Sequence, residues 1–175
     1  FDQTEMCLDI VERLSKKPPH PSLFPELQKC GPTRNHRIGA MAARFAEGGL
    51  VMVFAGRTVS VLPLASAVLE SMNRYPTAFA QLDAEADAVR GIDLEQSDLL
   101  RHGVGVHHRG LHSGIQDAVL RAARANRLRV IVCTSTLAEG VNLPVRTVVV
   151  ASRHLGHNEP LTPAKLRNLA GRAGR

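Results

Sequence analysis

Two arginines three residues apart, Arg172 and Arg175, close the chain in the run Asn168-Leu-Ala-Gly-Arg-Ala-Gly-Arg175. In a helix this spacing places both on one face. Two guanidiniums held together without a carboxylate nearby in sequence suit phosphate, because each presents a planar fork of N–H donors. The plainer alternative is a basic helix end, which the helix macrodipole also favours. Gly171 and Gly174 each cost roughly 1 kcal/mol relative to Ala inside a helix, which points to close backbone approach as the reason for them.

A second phosphate-type constellation is Thr134-Ser-Thr-Leu-Ala-Glu-Gly-Val-Asn-Leu-Pro144, where hydroxyls follow an apolar run. Hydroxyls beside exposed backbone amides can both donate to phosphate oxygens. The alternative is that Thr134 or Ser135 only caps the next turn. Other clusters read more plainly. His102, His107, His108 and His112 fall within eleven residues, yet a closed zinc site needs a defined tetrahedral set and no cysteine accompanies them. No metal is assigned, and His107 is expected to be a satisfied core or cleft histidine. Asp83-Ala-Glu-Ala-Asp87 lacks the preceding apolar strand that would hold carboxylates at a metal, so it reads as a solvated helix face. Arg121, Arg124, Arg127 and Arg129 likewise default to a solvated face, with a nucleic-acid path as the second reading.

Positioning such groups requires a scaffold. Met6, Ile10, Val11 and Leu14 predict a first helix, broken by Lys16-Lys-Pro-Pro19 and later prolines. Ile38, Met41, Ala42 and Phe45 predict another, stopped at Gly48-Gly49. Leu50–Ala55 reads as a strand buried on both faces, and Leu62, Ala65, Leu69 and Met72 as a helix that tolerates Pro63 only within its first turn. A short helix over Glu95–His102 ends at Gly103, and Val104–Val106 begins a strand. Ser113-Gly-Ile-Gln116 has the form of a capping box ahead of an amphipathic helix. Arg129–Cys133 and Thr147–Ala151 are two more buried-type strands, and Thr162-Pro163 supplies an N-cap with proline at the first helical position. Strands alternating with helices predict an α/β fold with a parallel sheet, whose ligands collect at the carboxyl ends of the strands.

The 175 residues, 44% hydrophobic, are enough for one compact domain. A net charge of +6 fits a polyanionic partner. Cys7, Cys30 and Cys133 have no metal-type spacing, and no apolar stretch approaches the roughly 18 residues of a membrane span. A reduced, cytoplasmic setting is expected. A chain that starts on Phe1 and stops on Arg175 inside a Gly/Arg run is expected to be part of a longer protein.

Four stretches, in order, resemble the C-terminal RecA-like domain of superfamily 2 DNA/RNA helicases, in the DEAD/DEAH-box-type branch of archaeal repair helicases and RNA-exosome helicases. Val51-Met-Val-Phe-Ala-Gly-Arg57 resembles motif IV, and Gly105-Val-His-His-Arg-Gly-Leu111 resembles the "HHAGL" segment. Thr134–Pro144 resembles motif V, and Asn168–Arg175 resembles motif VI. The resemblance implies N-terminal helices and a Pro-rich loop over 1–49 and a RecA-like domain over 50–175, truncated after motif VI. It implies that Arg172 and Arg175 act on ATP phosphates as arginine fingers, with Gly140, Asn142 and Asn168 on the nucleotide side. Arg57, His108, Arg109, Thr134 and Thr136 would face the backbone of single-stranded or partly duplex DNA or RNA. Arg109 stands where the branch commonly has Ala, and Asn168 where many members have Gln, an amide on a longer arm.

No segment fits the phosphate loop GxxxxGK[ST], and no strand-terminal Asp-Glu pair is present to hold magnesium. The implied enzyme therefore binds ATP with Mg2+ between this domain and a preceding RecA-like domain that holds the metal. The chain alone is expected to be inactive. The alternative is a non-catalytic nucleic-acid-binding module that kept the fold, which the arginine pair argues against. An unrelated basic α/β enzyme would need an acid/base pair of its own, and none stands out.

Overall fold

The computed structural model describes residues 33–74, 82–135, 137, 141–156 and 159–173. The helix expected around Met6–Leu14 and most of the proline-rich loop lie outside them.

Helix α1 spans Arg34–Phe45, opened by Thr33, whose hydroxyl accepts from the His36 amide. It tightens into a 3-10 turn over Ala46–Gly48 and stops at Gly49, whose φ of 135° favours glycine. Strand β1, Val51–Phe54, is buried along its whole length. Helix α2 covers Val61–Arg74, with Pro63 in the first turn as its missing N–H requires. Helices α3, Asp83–Arg90, and α4, Leu94–Arg101, follow, the latter capped by Asp93 accepting from the Gln96 amide. Then come β2, Val104–His107, α5, Ser113–Arg124, β3, Val130–Cys133, and β4, Thr147–Val150. A short hairpin pairs β5, His154–Leu155, with β6, Glu159–Pro160, and leads into α6, Pro163–Ala170. Thr162 caps α6 by accepting from the Lys165 amide, with proline at its start.

The four longer strands form one parallel sheet in the order β2-β3-β1-β4, in register Val104↔Val130, Val51↔Val130 and Val51↔Thr147. Strand alternation sends Val51 and Val53 to one face, where Ile38 and Ala42 of α1 and Leu64 and Val68 of α2 cover them. Met52 and Ile131 face the other side, against Ile115, Val119 and Ala122 of α5 and Val89 of α3. Beyond Met52 on that second face, Phe54 packs on Leu155 and Leu169, which docks α6 and the hairpin near the carboxyl end of β1. The expected α/β fold with a helix-flanked parallel sheet is what forms.

Several local expectations differ. The cap of α5 is His112, whose Nδ1 accepts from the Gly114 amide, and not Ser113, which is already helical. Gln116 still reaches back, but its amide donates to the Leu111 carbonyl. Strand β4 is only half-buried apart from Val149, because among the described residues it forms the sheet edge opposite β2. Phe45, expected in the apolar stripe of α1, is exposed. The Asp83–Asp87 segment is a helix face, as expected, but with partners. Arg101 bridges Asp83 at 3.1 Å and Asp87 at 2.8 Å, and Glu85 pairs with Arg127. Arg121 and Arg124 are exposed as a solvated face would be, whereas Arg129 is half-buried and donates to the Ala46 carbonyl.

Candidate nucleotide and nucleic-acid site

Because the four strands run the same way, the residues that follow them share one edge of the sheet. The ladder carries one step beyond the strands: the Ala55 amide donates to Cys133, that of Ala151 to Phe54 and that of Thr134 to His107. This aligns Gly56-Arg57, His108, Thr134 and Ala151–Arg153 in a row. Gly56 has φ 77°, and a Cβ on it would lie 2.3 Å from the His154 carbonyl and 2.5 Å from Ser152. Only glycine fits where the turn after β1 passes so close to the segment after β4. Arg57, next in the chain, is exposed at the start of a 3-10 turn.

His107 ends β2 buried, and its Nδ1 has no hydrogen-bond partner among the described residues, so it is a core histidine but not a satisfied one. Burial lowers its pKa, and the neighbouring His108 lowers it further, against a backbone hydrogen bond that raises it. His108 is half-buried and is also lowered by burial. Its Nδ1 accepts from the Gly110 amide at 3.1 Å, which leaves Nε2 as the N–H side of the neutral ring. Arg109 is exposed in the turn that follows.

Beyond β3 the expected exposed amides do not begin at Thr134, which is buried with its N–H bonded to His107. Ser135 is half-exposed, and Thr136 and Gly140 lie outside the described residues. Asn142 is exposed. Helix α6 ends at Ala170 with Gly171 as its C-cap, so Arg172 stands in the turn after the helix and not on its face. That turn aims the guanidinium at the Thr134–Pro144 segment, where Nη1 donates to the Val141 carbonyl at 2.8 Å. Gly171 has an ordinary helical φ of −65°, and a Cβ there would meet the Arg167 carbonyl at 3.3 Å. Arg175 lies outside the described residues.

A shallow pocket opens between α6, the hairpin and the carboxyl end of β1. Ser135, Lys165 and Asn168 line it together with Phe54, Leu155, Leu161 and Leu169. Lys165 also bridges Glu159 at 2.6 Å, which ties α6 to the hairpin. The structure thus brings Arg172 to the expected segment, and Asn168 and Ser135 line one pocket. Sequence reasoning missed Lys165, whose only signal was its place one helical turn before Asn168. Among the described residues, no three His, Cys, Asp or Glu side chains gather as metal ligands.

Residues 44–175 match the family model described as helicase conserved C-terminal domain. The chain is 38% identical over 141 residues to an ATP-dependent DNA helicase Hel308 of Pyrobaculum calidifontis, covering 74% of the chain and 20% of that protein. A Hel308 of Thermoplasma volcanium is 33% identical over 74% of the chain and 19% of its own length. An activating signal cointegrator 1 complex subunit 3-like protein of Dictyostelium discoideum is 39% identical over 47% of the chain and 4% of its length. The chain therefore spans a fifth or less of these relatives.

Proposed function

The chain belongs to the helicase conserved C-terminal domain family, and from that premise we propose that it is the second motor domain of an ATP-driven nucleic-acid helicase. ATP would lie between it and a preceding RecA-like domain that holds Mg2+. The observation that carries this reading is the bond from Arg172 to the Val141 carbonyl, which joins the segments resembling motifs VI and V. Arg172 at the Val141 carbonyl, and Ser135, Lys165 and Asn168 in the pocket beside α6, are donors that suit an anion with many oxygens.

ATP, when bound, supplies the phosphoryl group whose transfer to water drives the cycle. Arg172 would exchange the Val141 carbonyl for phosphate oxygens, and Arg175 would join it. Asn142 and Asn168, with Gly140, would line the nucleotide side. Arg57, His108 and Arg109 would contact the strand, with Thr136 beside them. Thr134, being buried, would act by holding the turn. Contacts of this kind read backbone and not bases, so the motor would be largely indifferent to sequence.

Single-turnover hydrolysis by the intact enzyme at saturating ATP, with nucleic acid present, tests the assignment. Fingers of this kind are worth about 10³–10⁵ in rate, so Arg172→Ala or Arg175→Ala lowers the chemical step by orders of magnitude while ATP affinity changes far less. Arg→Lys restores little, because an ammonium lacks the planar fork. Near-normal turnover in both alanine variants, with circular dichroism unchanged, would make these arginines structural.

A further inference from the structure

Arg34 opens α1, on the sheet face opposite α6, and its guanidinium donates to the carbonyl of Ala151 just past β4. The two residues are 117 apart in sequence, so this contact fixes where the helix begins relative to the strand edge. Arg37 follows one turn later on the same helix face. Arg153 is exposed two residues beyond Ala151. Arg34 is crowded enough by burial, and then by Arg153 and Arg37, that its pKa is lowered from the ordinary arginine value. Arg57 belongs to the same edge, since Gly56 packs on Ser152 and accepts from the Gly156 amide at 2.9 Å. One acid near this group, Glu70, is engaged by His36 at 3.3 Å.

Gathering like charges at a surface is unfavourable, and Arg34 loses hydration as well. A polyanion would relieve both. Nucleotide does not fit that role here, because the residues read as nucleotide-facing, Arg172 and Asn168, sit with α6 on the other face of the sheet. A row of guanidiniums continuous with Arg57 matches a repeating chain of phosphates better than a single anion.

We propose that Arg34, Arg37 and Arg153 extend the strand-binding edge beyond Arg57, and hold the sugar-phosphate backbone of a nucleic acid where it passes the ends of β1 and β4. This rests on the reading that Arg57 faces the strand. Equilibrium binding of labelled single-stranded DNA and RNA of mixed sequence to the intact polypeptide, without ATP, over a series of salt concentrations, tests it. Each phosphate contact removed lowers the slope of log affinity against log salt by about 0.7 for single strands. Arg37→Ala and Arg153→Ala should each lose about that much, and the pair about twice as much. Arg37→Glu should weaken binding further on every sequence. Arg34→Ala is secondary, because loss of the Ala151 contact can disturb α1.

An unchanged slope in the Arg37 and Arg153 variants, with Arg57→Ala still weakening binding, overturns this proposal and leaves the reading of Arg57 standing. Failure of the unaltered polypeptide to bind any strand overturns both. If Arg37→Glu leaves strand binding alone but expands the polypeptide in small-angle scattering, the cluster faces an acidic protein surface and the proposal fails.

Discussion

At the scale of single residues, burial decides more than type. His107 and His108 are adjacent, yet one is a core side chain with an unpartnered Nδ1 and the other a half-exposed ring fixed by the Gly110 amide. The sequence marked His107 as the core or cleft histidine of the four, but gave no sign that its Nδ1 would be left without a partner. The folded pKa of His107 lies below the unfolded value near 6.5, so the unfolded chain takes the proton first as pH falls. Stability from the neutral ring is therefore complete above about pH 6.5 and is lost as pH drops from there toward the folded value. Urea midpoints followed from neutral to mildly acid pH should fall more steeply for the unaltered chain than for His107→Gln. Equal slopes would mean that His107 takes its proton as readily folded as unfolded. Cys133 is a plainer case: fully buried, its thiol is pushed up to about 12. Native alkylation followed by peptide mapping should leave it unmodified, and label it only in denaturant.

At the scale of elements, the strands and helices were legible because hydrophobic period and caps are local signals. β1 and β3 were readable as uninterrupted apolar runs, and both are buried throughout. What was not legible depended on partners far away in sequence. β4 has the composition of a central strand and lies at an edge. The cap of α5 moved to His112, because an imidazole one residue earlier reaches the Gly114 amide. Gly39 gave no sequence signal at all, being one small residue inside α1. In the fold, α1 crosses α2 there, and a Cβ on Gly39 would lie 2.5 Å from the Ala67 carbonyl oxygen. Gly91 is its opposite, with φ −71° and open space around the missing Cβ. Gly39→Ala should therefore destabilise by about 1–3 kcal/mol through forced separation of the helices. Gly91→Ala should be neutral or stabilise by up to about 1 kcal/mol by restricting the unfolded chain. Chemical denaturation of both variants checks the pair, and a similar shift in each would place the close approach elsewhere.

At the scale of the whole molecule, the parallel sheet gathers scattered segments at one edge. Arg57 and the His108-Arg109 turn follow different strands, and only a shared strand direction brings them to the same side. The segments resembling motifs V and VI were readable separately, but their joining through Arg172 and Val141 was not, because a turn after α6 supplies the geometry. The same edge explains what the chain lacks. The groups proposed to act, Arg57, Arg109 and Arg172 among them, are donors, and the sequence holds neither a phosphate loop nor an adjacent Asp-Glu pair. A donor surface can stabilise charge on a nucleotide held elsewhere, but it cannot orient the attacking water or hold the metal that bridges the phosphates. The 175-residue chain, purified by itself, should therefore fold cooperatively and show no ATP turnover above background, with or without nucleic acid. Nucleotide binding should be weak, since half of the proposed cleft is missing. The measurement is phosphate release at high protein concentration, beside a thermal melt that establishes folding. Turnover that copurifies with the folded chain and disappears in Arg172→Ala would mean that this domain carries a complete hydrolytic site, and the two-domain reading of its function would have to be abandoned.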